Sequence, residues 1–218
     1  MNPLSPQLLF EITARTLSVC FAALTISLVI GLPIGIAVGR RRFAGRGAFV
    51  SLINSGMGAP PVVVGLIVAL MLWRSGPLGD WGWMYSIWAM VLAQIVIALP
   101  LVVGITLAAV GALEEDWELQ VKTLGVPPRW RLWLLLRQIR LGVLAAVIAA
   151  LGGILSEVGA VMMVGGNLEG ETRVLTTAIL MYTQMGDFAS ALGLAVVLLG
   201  LMLLLAGVLT AVQQSGRS

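Results

Sequence analysis

The chain has 218 residues, 59% hydrophobic and 11% charged, with a mean hydropathy of +1.03; a soluble domain carries about 25% charged residues, which excludes one here and implies an all-α integral membrane protein with little aqueous mass. It holds no histidine and one cysteine, Cys20, which excludes imidazole metal ligation, histidine general-base catalysis and an intrachain disulfide. Its net charge of +3 comes from basic residues gathered at the ends of apolar runs, a mark of membrane topology rather than of nucleic acid.

The first fifteen residues have no Lys or Arg before Arg15 and contain Glu11, unlike a cleaved leader. Leu8, Leu9, Phe10 and Ile12, after Pro6, predict a short helix lying at the membrane interface. A spanning helix needs about 20 predominantly apolar residues. Five stretches meet that length: 16–39, 49–73, 84–110, 141–164 and 188–212. Residues 1–218 thus read as one transmembrane domain. Arg40, Arg41, Arg42 and Arg46 follow span one; Lys122, Arg129, Arg131, Arg137 and Arg140 follow span three; Arg217 lies in the tail. Only Arg15, Arg74 and Arg173 fall on the opposite side. The positive-inside rule therefore places the N-terminus outside and the C-terminus inside. Trp73, Trp81, Trp83 and Trp88 then form an outer aromatic belt.

Gly31, Gly35 and Gly39 share one face of span one and allow close helix approach, with Pro33 among them. Span two carries Gly58-Ala59-Pro60-Pro61 and span three carries Pro100. Adjacent prolines remove two backbone donors and leave carbonyls that need protein or water, so Pro60 and Pro61 are candidate walls of a pathway. Span four holds an acid in Ser156-Glu157-Val158-Gly159. Glu157 lies about 24 Å along from Leu141 at the helical rise. It either serves transport or pairs with a neighbouring helix; for an anionic cargo its charge suits bracing a gate better than binding. Gly165, Gly166 and Asn167 predict a sharp turn on the outer side. Residues 175–182 predict a short apolar helix too brief to cross.

The region 112–140 is a charged island between spans. Leu113, Trp117, Val121 and Leu124 are spaced 4, 4 and 3 apart, one helical face. Glu114, Glu115, Asp116 and Glu118 favour the start of that helix, and Glu118 with Lys122 makes an i,i+4 pair. Gly125 is a helix stop, and Pro127-Pro128 precede a second helix bearing Trp130 and Trp133. The acids argue against a lipid-resting connector, whose polar face would be basic.

Lys122-Thr123-Leu124-Gly125, then Trp130-Arg131 and a helix into a span, resembles the EAA loop of ABC-importer permeases. Leu119-Gln120-Val121 stands at the Glu-Ala-Ala positions, Glu118 is one residue early, and Arg137-Gln138 replaces Leu-Pro. A second resemblance, to the tungstate-type oxyanion permeases, covers most of the chain. It rests on Ser156-Glu157-Val158-Gly159-Ala160, Met162-Met163-Val164-Gly165-Gly166-Asn167, Thr172-Arg173-Val174-Leu175-Thr176-Thr177-Ala178 and Gly186-Asp187-Phe188-Ala189. Pro60-Pro61-Val62-Val63-Val64-Gly65 and Ala98-Leu99-Pro100 fit it as well.

These resemblances imply a multi-pass subunit of a bacterial or archaeal inner membrane. They imply a second copy of the chain, cytoplasmic ABC ATPase subunits and an extracytoplasmic oxyanion-binding protein. No catalytic residue, metal or resident cofactor is expected. ATP and Mg act in the partner, since the chain lacks Gly-x-x-x-x-Gly-Lys-Ser/Thr. The coupling residues would be Leu113, Trp117, Glu118, Val121, Lys122, Leu124 and Gly125. The pathway or gate would involve Pro60, Pro61, Ser156, Glu157, Gly159 and Asn167. The rival readings are a proton-coupled secondary transporter using Glu157, against which five spans without an inverted repeat count, and a membrane scaffold.

Overall fold

The computed structural model describes residues 5–113 and 117–215, with only the backbone of Glu118 and Ser215. Regular structure among the described residues is helical throughout. The first helix, α1 (Pro6–Arg40), runs unbroken for 35 residues. Ser5 caps it, its Oγ accepting the Leu8 N–H at 3.2 Å, and Pro6 fills the first helical position, where no donor is needed. The separate interfacial helix predicted around Leu8–Ile12 is therefore absent. Ile12 is fully buried among Leu175, Ala178 and Leu194, with Leu8 and Leu9 packed against that cluster. Those contacts hold the segment in line with the span.

Span two is bent. α2 (Arg46–Met57) and α3 (Pro61–Leu72) meet at 104° across the Gly58-Ala59-Pro60 break. Neither proline offers an N–H to continue the ladder, and Pro60 is extended at φ −61°, ψ 121°. After a 3-10 turn at Gly79–Trp81, α4 (Ile87–Gly111) starts on a Ser86 cap. The tryptophans gather there, with ring centroids 4.6 Å apart for Trp81–Trp83 and 6.2 Å for Trp83–Trp88.

α4 is the centre of the bundle. Its small residues Ala89, Ala93 and Ala98 are wholly buried. The predicted glycine face of α1 lies against it. A Cβ on Gly35 would stand 2.7 Å from Thr106 Cβ and 2.9 Å from the Val103 carbonyl oxygen. Gly31 and Gly39 meet Val102 and Val110 in the same way, the close backbone approach that small residues permit in lipid.

α5 (Trp117–Thr123) and α6 (Pro128–Gln138) follow, and α6 turns 60° into α7 (Arg140–Ser156). The predicted fourth span does not continue: Glu157 is extended and α8 (Gly159–Gly165) is a separate helix. α9 (Leu175–Gln184) is the expected short apolar helix, its first turn buried. α10 (Phe188–Ser215) begins at Asp187, whose carboxylate accepts the Ser190 N–H at 3.1 Å and Oγ at 2.7 Å. Those bonds hold the Asp187 carboxyl below its ordinary pKa. Among the described residues α1, α4 and α10 are each long and apolar enough to cross a membrane, and the number is five if each bent pair, α2–α3 and α6–α7, counts as one span. α10 presents most of its apolar surface outward, to lipid or another chain.

Candidate functional site

The two interrupted helices meet beside their breaks. α3 packs on α8 so closely that a Cβ on Gly65 would lie 2.5 Å from Ala160 Cα, and one on Gly159 would lie 2.7 Å from Val62 Cγ2. Pro60 turns the chain into α3, and its carbonyl accepts the Val63 and Val64 N–H groups at 2.9 and 3.2 Å. Pro60, Pro61 and Ser156 are exposed. The Ser156 Oγ donates to the Gly153 carbonyl at 3.2 Å.

Glu157 is buried between these pieces, at 7% exposure. Its Oε1 accepts the Ala160 N–H at 2.7 Å, and its carbonyl accepts the Thr176 hydroxyl at 2.9 Å. One residue thus ties the end of α7 to the starts of α8 and α9. An orphan donor at a helix start must find an acceptor where water is scarce, and the carboxylate supplies it. Asn167 stands apart from this junction, beyond the far end of α8, at φ +54° after Gly166. Its Oδ1 is buried without a partner.

The island forms an elbow. Val121 is buried, and Leu113 and Trp117 are half-buried against Ile36, Val110, Leu135 and Ile139. Leu124 departs from the predicted stripe and is 78% exposed. The reason is local: α5 ends at Thr123, and Gly125 takes φ +67°, so the helical period stops one residue before Leu124. The Gly125 N–H bonds the Lys122 carbonyl at 3.0 Å and the Val126 N–H the Val121 carbonyl at 3.3 Å. This pairing closes a helix on a left-handed glycine. Arg131 Nε then donates to the Val126 carbonyl at 2.8 Å, fixing the turn to α6. Lys122 is exposed and engaged in an interaction. Glu114, Glu115, Asp116, the Glu118 side chain and Arg217 lie outside the described residues.

One polar cluster escaped sequence reasoning. Arg15 donates from Nη1 to the Arg173 carbonyl at 3.0 Å and from Nη2 to the Gly170 carbonyl at 2.7 Å. Thr16 Oγ1 accepts the Leu175 N–H at 2.9 Å, and buried Arg173 pairs with Glu169 at 3.0 Å. The loop before α9 is thereby strapped to α1. The signal was present in Arg15 and Arg173 as isolated cations near an apolar boundary, which topology counting had absorbed.

Two bent helix pairs thus pack around a small-residue core, with a polar elbow leading into one of them. The family described as "binding-protein-dependent transport system inner membrane component" matches residues 31–217. The chain belongs to this family. Among the permease's relatives is the "Probable anion ABC transporter permease protein" of Haloferax volcanii, 41% identical over 200 residues, covering 89% of this chain and 86% of the relative. Another is the "Tungstate uptake system permease protein TupB" of Peptoclostridium acidaminophilum, 36% identical over 190 residues, covering 87% and 83%. A solved structure of the MetNI methionine ABC transporter in inward-facing conformations matches with TM-score 0.74 over 99% of both chains at 16% identity. At that identity the likeness is one of fold. The permease is thus a multi-pass membrane protein with the ABC permease fold.

Proposed function

We propose that this chain is the translocation subunit of an ATP-driven importer that carries a small tetrahedral oxyanion, tungstate foremost, into the cytoplasm by alternating access. The observation that carries this reading is the 36–41% identity with a tungstate and an anion permease over nearly nine-tenths of the chain. Two copies form the membrane unit, two ATPase subunits hydrolyse ATP with Mg, and an extracytoplasmic binding protein delivers the cargo. The chain itself binds no cofactor. The N-terminus lies outside and the C-terminus inside, supported by ten of thirteen basic residues on one side.

In this orientation α5 and α6 form the cytoplasmic helix-turn-helix. Leu113, Trp117 and Val121 root it in the bundle, while Glu118, Lys122, Leu124 and the Gly125 turn meet the ATPase. Movement of the elbow passes through α6 and α7 to the junction of Pro60, Pro61, Ser156, Glu157 and Gly159, which acts as the gate. Asn167 lines the outer side of the pathway. Glu157 braces the gate rather than carrying a proton; its bond to the Ala160 N–H supports that role.

The test is uptake by proteoliposomes holding the permease, its ATPase and its binding protein. Tungstate entry should require ATP and both partners, with sulfate and molybdate as competitors that rank the cargo. Entry driven by a proton gradient without ATP, and lost in Glu157→Gln, would establish the rival reading.

A further inference from the structure

A groove of about 640 Å³ runs along α1, between Leu28 and Leu32 on one wall and Leu132 and Leu136 of α6 on the other, and ends at Arg40 and Arg41. A second, more polar hollow of about 460 Å³ begins at the same two arginines and adds Arg42 and Arg46. We propose that the two together form a site for one anionic phospholipid, its acyl chain in the α1–α6 groove and its phosphate on the arginine cluster.

Length, polarity and charge agree on this occupant. Leu28 and Arg40 are twelve residues apart, about 18 Å at the helical rise, close to the ~15 Å of one leaflet's hydrocarbon. The groove is apolar along that depth and cationic at one end only. Its described lining contains no Asp or Glu. Arg40 has a further interaction and Arg46 gives its Nε to the Val38 carbonyl at 3.0 Å, so Arg41 and Arg42, both exposed, are assigned to the phosphate. Guanidinium forks match phosphate oxygens, and basic pockets between membrane helices suit anionic head groups. A soluble subunit cannot follow the groove to Leu28 through lipid. A symmetric contact with a second copy here would press two arginine clusters together. The site needs only that α1 crosses the membrane; its assignment to the cytoplasmic leaflet rests on the orientation proposed above.

The test is native mass spectrometry of the full chain in detergent, titrated with phosphatidylglycerol or phosphatidylcholine of the same acyl chains. The site predicts one tightly held phosphatidylglycerol per chain, preferred about tenfold. The Arg41→Gln/Arg42→Gln pair should erase the preference, and Leu32→Trp should lower retention of both lipids, at melting temperatures close to that of the parent. Equal retention of the two lipids, or a preference untouched by the arginine variants, would overturn the site. So would equal displacement of the lipid by inorganic phosphate, or crosslinking of two copies through Leu32→Cys. Lipid retention in detergent depends on neither orientation nor cargo, so its failure is distinct from failure of the transport reading.

Discussion

Glu157 gives the clearest relation between one side chain and the shape of the membrane domain. The residues from 141 to 164 read as one continuous apolar run, with no proline to announce a break. At the break the Glu157 side chain accepts the Ala160 N–H at the start of a new helix. That arrangement depends on α3 and α9 being in place, so hydropathy cannot reveal it. Glu157→Gln retains an acceptor oxygen and should keep both stability and transport within about twofold. Glu157→Ala leaves the Ala160 N–H buried and unpaired, at a cost of about 1–3 kcal/mol. Thermal unfolding in detergent distinguishes the two variants. Gly65→Ala tests the adjoining packing: its new Cβ meets Ala160 backbone at 2.5 Å, and overpacking of this kind costs about 1–3 kcal/mol. An unchanged melting temperature in Gly65→Ala would mean that α3 and α8 are not pressed together.

Among elements, the elbow was the most legible from sequence, because glycine and proline act locally. Gly125 ends α5 and Pro128 starts α6 where residue type alone directs. Leu124 was misread because the periodicity rule assumes that the helix continues. The departure bears on function, since it leaves Leu124, named above as a coupling residue, as an exposed apolar tip. Gly125→Ala meets open space but must adopt φ +67°, a penalty of about 1–2 kcal/mol, and should still transport. Gly125→Pro cannot take that angle and removes the N–H bonded to Lys122. It should insert normally yet lose ATP-driven uptake. Equal uptake by parent and Gly125→Pro vesicles would remove the elbow from the coupling scheme.

For the whole molecule, hydropathy located the apolar helices, three of which can cross unaided, but placed the fourth span at 141–164 where the structure has α6 bending into α7 and a break at Glu157. The structure bends two helix pairs and spends the bends on forming the junction and the elbow. For long-range ties such as Arg15 to the loop before α9, the sequence shows the isolated cation but not its partners, which are backbone carbonyls 155 and 158 residues away. Arg15→Gln should weaken that strap, raising amide hydrogen exchange over residues 170–175 while α4 stays protected. Uniform exchange in parent and variant would show that α1 does not hold the loop.

The most direct measurement of the central claim is disulfide crosslinking from the elbow tip in the assembled transporter. The Leu124→Cys variant, made in a Cys20→Ala background, should crosslink to the cytoplasmic ATPase subunit, with a yield that changes when ATP is bound. A thiol at that position labelled from the extracytoplasmic side, or one that never joins the ATPase in a complex competent for uptake, would contradict the account.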